Sequence, residues 1–213
     1  MTENETFIYE SIFDQVRMGF LPIEEIKEIV MEQVEDNKFE DEISEEWVNN
    51  LIDEEYQKLI HESEKWDRPT DTERLIKAFD ELAKINITAL HNAGFTTSDG
   101  EYEVVDVENE LIEKGVRSNG YCFYHEQDLA RAIQPEDSSL YLAFQKIDNS
   151  EDEVTIGVGR QIVKVLQENG FTVEWGEIPN VKILIPDFKW RKTFDKSERN
   201  LLDYREVIRL MTI

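Results

Sequence analysis

Gly120-Tyr121-Cys122-Phe123-Tyr124-His125-Glu126-Gln127-Asp128-Leu129-Ala130-Arg131 decides the fold, because an aromatic run of strand character passes directly into a helical pattern. Side chains alternate along a strand, so Cys122 and Tyr124 are expected on one face and Tyr121, Phe123 and His125 on the other. That separation sends the cysteine away from the histidine and makes Cys122 a small buried residue rather than a reactive thiol. A second polar stretch precedes it: Ala89-Leu90-His91-Asn92-Ala93-Gly94-Phe95-Thr96-Thr97-Ser98-Asp99-Gly100. Two of the three histidines and the only cysteine fall in these two stretches.

Outward from them, short strands are expected at 85–91, 121–125, 140–147, 171–175 and 181–185, with the last two forming a hairpin. Helices are expected at 102–113, 126–134 and 158–169, where Gly170 suits the position just after a helix end and Phe171 is placed to pack back. Thr70-x-x-Glu73 is a capping box ahead of Leu75, Ile76, Phe79, Leu82 and Ala83. These elements predict an α+β fold, a four- to five-stranded, mostly antiparallel sheet with helices packed on it. Residues 69–192 make up this domain, and 193–213 read as a C-terminal helix packed on the body.

Residues 1–68 are instead helical throughout. Phe7, Ile8, Ile12, Val16 and Met18 form a stripe ended by Gly19, and Pro22 opens a second helix with Ile23, Ile26, Val30 and Val34 on one face. Ser44 caps a third, in which Trp47, Val48, Leu51, Ile52, Tyr56, Leu59 and Ile60 form the buried face while Asp53, Glu54, Glu55 and Glu62 lie outside it. This is an N-terminal all-helical module, since a disordered acidic tail would hold far fewer large apolar residues.

The 213 residues carry 48 acidic and 23 basic side chains, a net charge of −25. Residues 1–70 hold 21 acids and 6 bases (−15), 71–153 hold 19 and 7 (−12), and 154–213 hold 8 and 10 (+2). Such a field repels nucleic acid and anionic lipid and attracts basic protein surfaces, so a basic protein partner is expected and a nucleic-acid or membrane partner is not. A chain of this length buries roughly 70% of its unfolded surface and needs no disulfide or metal to fold. One cysteine, no basic-then-apolar leader and no apolar run near the roughly 18 residues of a membrane span lead to the expectation of a cytoplasmic, bacterial protein.

The candidate catalytic residues are His91, Asp99, His125 and Asp128, with His125 as acid-base group, Asp128 or Asp99 orienting it and His91 across a pocket at the sheet edge. Each histidine equally suits a plainer role, bonding a backbone group to anchor its loop, and Asn92, Ser98 and Asp99 are common turn and helix-cap residues. Candidate ligand-binding residues are Asn92, Ser98, Gln127 and Arg160. Gly157-Val158-Gly159-Arg160 resembles the start of an anion-binding turn at a helix N-terminus, but Ile162 stands where a dinucleotide motif has its third glycine. Lys189, Arg191, Lys192, Lys196 and Arg199 surround Trp190, a basic aromatic cluster whose contact with nucleic acid the overall charge opposes. No metal site and no cofactor are expected.

Several stretches are shared with a bacterial domain family of unknown function. They are Asp71-Thr72-Glu73-Arg74-Leu75, Ala89-Leu90-His91-Asn92-Ala93-Gly94 with Ser98-Asp99-Gly100, Gly120 to Asp128, Leu140-Tyr141-Leu142-Ala143-Phe144, Gly159-Arg160, and Gly170-Phe171-Thr172-Val173-Glu174-Trp175. On these motifs the chain resembles that family over about residues 66–190, and the resemblance implies no activity. The sequence therefore favours a non-enzymatic cytosolic protein-interaction or regulatory protein with an acidic surface; the alternative is an enzyme or small-ligand-binding domain using the His91/His125 loop edge.

Overall fold

A computed structural model describes residues 1–146 and 151–213. The chain divides into two compact units: Met1–Arg68 with Arg191–Arg199, and Pro69–Trp190 with Asn200–Ile213. No helix among the described residues is long and apolar enough to cross a membrane.

The first unit contains α1 (Glu3–Met18), α2 (Ile23–Asp36) and α3 (Glu45–Ser63). Thr2 and Glu5 close a capping box on α1, Pro22 stands at the start of α2, and the Ser44 hydroxyl accepts the Trp47 amide of α3. Gly19 ends α1 at φ 64°, and a Cβ there would lie 2.5 Å from the Lys192 carbonyl oxygen. Ile8, Ile12, Val16, Ile26, Val30, Val34, Val48, Ile52 and Leu59 interlock as one core. Phe7 departs from the expected stripe: it is exposed, edge-on to Phe39. Glu55 departs in the other direction, being buried because Lys58 (2.7 Å), the Tyr9 hydroxyl (3.1 Å) and Arg17 (4.0 Å) satisfy its carboxylate.

The second unit runs α4 (Asp71–Lys84), β1 (Ile87–Leu90), α5 (Thr97–Glu113), β2 (Gly120–Phe123), α6 (Glu126–Ile133), β3 (Leu140–Gln145), α7 (Asp152–Glu168), β4 (Ile183–Ile185) and α8 (Arg205–Met211). Its strands form one sheet in the order β1-β2-β3-β4. β1 and β2 are parallel, while β2-β3 and β3-β4 are antiparallel, so the α+β fold and the mostly antiparallel sheet stand. Tyr121 and Phe123 join one core with Val104, Val107 and Leu111 of α5 and Val207, Ile208 and Met211 of α8. Two residues before Cys122, a Cβ at Gly120 would meet Val158 of α7, so β2 is covered on both faces and buried along its length. Burial pushes the Cys122 thiol up, which keeps it protonated and inert.

Four boundaries differ from the sequence reading, each for a local reason. α5 starts at Thr97, ahead of residue 102, because Thr96 and Asp99 form a capping box. α7 starts at Asp152, ahead of residue 158. The expected strand at 171–175 shrinks to one antiparallel bridge between Glu174 and Leu184. There the chain leaves α7 through a Schellman turn, with Gly170 at φ 83°, the Gly170 amide on Gln167 O (2.9 Å) and the Phe171 amide on Leu166 O (3.1 Å). Phe171 then turns inward onto Phe188 (5.8 Å between centroids) instead of extending a ladder. In place of the long C-terminal helix at 193–213, only Arg205–Met211 is helical. The side chains of Asp195, Asn200 and Asp203 capture the amides of Ser197, Leu202 and Arg205 at 2.7, 2.9 and 3.1 Å, competing with helix formation. The expected end of the third strand at Ile147 lies outside the described residues.

Candidate functional site

Beyond the parallel pair β1-β2 the chain stays zipped: the Ala93 amide donates to Tyr124 O (2.9 Å) and the Glu126 amide to Gly94 O (3.0 Å). The loop after β1 and the start of α6 are thereby held side by side at the carboxyl ends of the two strands. His125 caps α6, its Nδ1 accepting the Asp128 amide at 3.2 Å. This places the proton of the neutral ring on Nε2, which has three polar neighbours: Thr97 Oγ1 at 3.1 Å, Asp128 Oδ2 at 3.2 Å and Lys182 Nζ at 2.8 Å. Lys182 Nζ also donates to Asp128 Oδ2 (2.7 Å) and Oδ1 (3.0 Å), while Arg131 stands 3.5 Å from the same carboxylate. The proton positions of His125 and Lys182 are therefore interdependent. Burial pushes the His125 imidazole below its ordinary value; Asp128 opposes that shift, and Lys182 and Arg131 reinforce it.

The cluster borders a cleft of about 300 Å³, whose lining includes Thr97, Glu101, Tyr121, Phe144, Gln145 and Lys182. Thr97 and Lys182 belong to both cluster and cleft. Sequence reasoning had no reason to select either. The one available signal was that Lys182 is the sole charged residue in the apolar run Val181-Lys182-Ile183-Leu184-Ile185. Strand alternation sets Tyr121 on the same face as His125, and no local motif marks it as a site residue.

The other candidates are not gathered here. His91 is buried in an aromatic nest, stacked on Phe79 (4.5 Å) with Nδ1 3.2 Å from the Tyr124 hydroxyl. Asp99 accepts from the Thr96 amide and hydroxyl, both at 2.8 Å, and that hydroxyl bond is the main cause holding its carboxyl below the usual range. Asn92 sits in the left-handed region at φ 47°, Ser98 lies in the first turn of α5, and Gln127 is exposed on α6. Arg160 pairs with Glu177 at 2.6 and 3.0 Å. The proposed anion-binding turn is corrected: α7 begins at Asp152, so Gly157 to Arg160 lie inside the helix, where backbone amides serve the helix itself. Gly159 instead admits the Trp175 ring, which a Cβ would strike. Trp190 is largely buried and edge-on to Tyr124 (5.8 Å), so the 189–199 segment is not one basic aromatic surface. Among the described residues, no three His, Cys, Asp or Glu side chains converge as metal ligands.

The helical unit offers a feature of a different kind. Glu24, Glu28, Glu32 and Glu35 follow one another along α2, all exposed, and no ion pair among the described residues reaches them.

The profile of one protein family, described as Domain of unknown function (DUF6891), matches residues 1–194. The match takes in the helical segment, which the motifs quoted above leave outside. No curated protein and no solved structure matches the chain.

Proposed function

Because the chain belongs to the DUF6891 family, which brings no activity with it, we propose its function from its own surface: a non-enzymatic, cytosolic protein-interaction or regulatory protein. In this reading its acidic helical unit binds a basic protein. The supporting observation is the α2 ridge of Glu24, Glu28, Glu32 and Glu35. Like charges spaced three or four apart on a helix destabilise it by about 0.2–0.5 kcal/mol per pair, and an opposing basic surface would reverse that penalty. The −15 charge of residues 1–70 would also speed encounter with such a partner and make binding salt-sensitive.

The test compares the wild type with the E24Q/E28Q/E32Q/E35Q variant as bait in cell extract at low and high salt. The reading expects a basic protein retained by the wild type at low salt, released at high salt and lost by the variant. Identical retention by both baits would end it.

A further inference from the structure

We infer that the solvent face of α5 is a docking surface for an amphipathic helix of another protein, one whose apolar edge carries lysine or arginine along one side. Tyr102, Val105 and Ile112 are 73%, 46% and 45% exposed, and with Asn109 they follow the i, i+3, i+7, i+10 spacing of a single helix face. Single exposed apolar residues are ordinary on a protein surface, but an aligned stripe along one helix is the form in which helix-in-groove contacts are anchored. Beside Val105 and Ile112 lies a cleft of about 390 Å³, closed on its far side by Arg117, Ser118 and Lys146, with room for one large side chain of a partner.

Charge selects the occupant. Residues seven apart share a row on a helix, so the stripe runs between two acidic rows, Glu101 with Glu108 on the cleft side and Asp106 with Glu113 on the other. The cleft side is balanced: Glu101 and Glu108 are matched in number by Arg117 and Lys146 of the far wall, and Lys182, which shares a cleft with Glu101, is held by Asp128. The other side is not. Asp99, Glu103, Asp106, Glu110 and Glu113 stand there with Lys114, 3.4 Å from Glu110, as the only base of α5 and its cap, and beyond them Asp203 takes up Arg205. Asp106 has Glu103 three residues before it and Glu110 four after, like charges that weaken a helix and that a basic flank on the partner would compensate. A second copy of this chain offers that flank either the same acids or the balanced side, neither of them basic, so self-association does not answer it. Nucleic acid and anionic lipid meet a repulsive field. This surface lies in the second unit and does not depend on the α2 ridge.

The experiment titrates the full ¹⁵N-labelled chain with three synthetic helical peptides that share one leucine and phenylalanine face and carry lysine, glutamine or glutamate beside it. Saturable shifts at the amides of Tyr102, Val105, Asn109 and Ile112 with the lysine peptide, weaker shifts with the glutamine peptide and none with the glutamate peptide are expected. The Y102A/V105A/I112A variant should weaken the lysine peptide at α5 about tenfold without lowering the unfolding midpoint, since the removed groups are exposed and alanine favours the helix. In D106K/E113K the preference for lysine over glutamate should vanish, because three acids then stand with three bases on that flank. Equal affinity for the three peptides, no saturable shift at those amides, unaltered binding by the alanine variant or a preference that survives in D106K/E113K would overturn the assignment, as would a dimer of the free chain that the three alanines dissolve. Shifts confined to the amides of α2 would overturn it and leave the α2 ridge standing, so the two readings fail separately.

Discussion

Lys182 Nζ grips both oxygens of Asp128, at 2.7 and 3.0 Å, across 54 residues of sequence. Asp128 is almost wholly buried, and beside the His125 ring its one further basic neighbour among the described residues is Arg131, at 3.5 Å. Removing the lysine leaves a buried carboxylate short of its main counter-charge, so Lys182→Met should destabilise the protein by about 3 kcal/mol. The D128N/K182M double variant should recover much of that loss. Urea unfolding measures both; a single variant within about 0.5 kcal/mol of wild type would show that the pair does not support the fold.

His125 gives stability a definite pH dependence. Its folded value is depressed from 6.5 by burial, so the unfolded chain takes up the proton first as pH falls. The stabilisation is fully present above 6.5 and is lost as pH drops through the lower folded value. His125→Asn keeps a helix-capping oxygen without the titration. Between about pH 7 and pH 5 the unfolding midpoint of the wild type should fall more steeply than that of the variant, and parallel curves would contradict the assignment.

Two glycines inside helices should respond to alanine with opposite signs. At Gly157 of α7 a Cβ meets nothing within 4 Å, so Gly157→Ala should stabilise by about 0.5–1 kcal/mol through helix propensity. At Gly100 of α5 it would strike the buried Phe123 ring and lie 2.7 Å from Ala93 O, so Gly100→Ala should destabilise by roughly 1–3 kcal/mol. Thermal unfolding of the two variants decides the point, since equal shifts would mean that the Phe123 contact is easily relieved.

What the sequence reveals here is what local chemistry controls. Ser44, the Thr70/Glu73 box and Gly170 each announce a helix end through a side chain or a positive φ, and each stands where the pattern put it. Apolar periodicity likewise locates β1, β2 and the helical core. The misses arise where a tertiary partner decides. Residues 171–175 have strand composition, yet Phe171 finds Phe188, and Trp175 packs edge-on to Phe144 at 5.2 Å. Of the expected site, His125 and Asp128 meet because they stand at i and i+3, the cap and the first turn of one helix. Lys182 and Tyr121 come to the same place through strand order, and no local pattern encodes that.

The helical unit is discontinuous in sequence, because Arg191–Arg199 folds with Met1–Arg68 before the chain returns to the other unit at Asn200. Gly19 passes against Lys192 within that unit, so the returning segment is part of its structure rather than a tether. A gene fragment ending at residue 68 therefore lacks a piece of its own product, and one starting at 69 carries that piece as surplus. Recombination at a single junction cannot transplant either unit intact, which predicts that the two are inherited together.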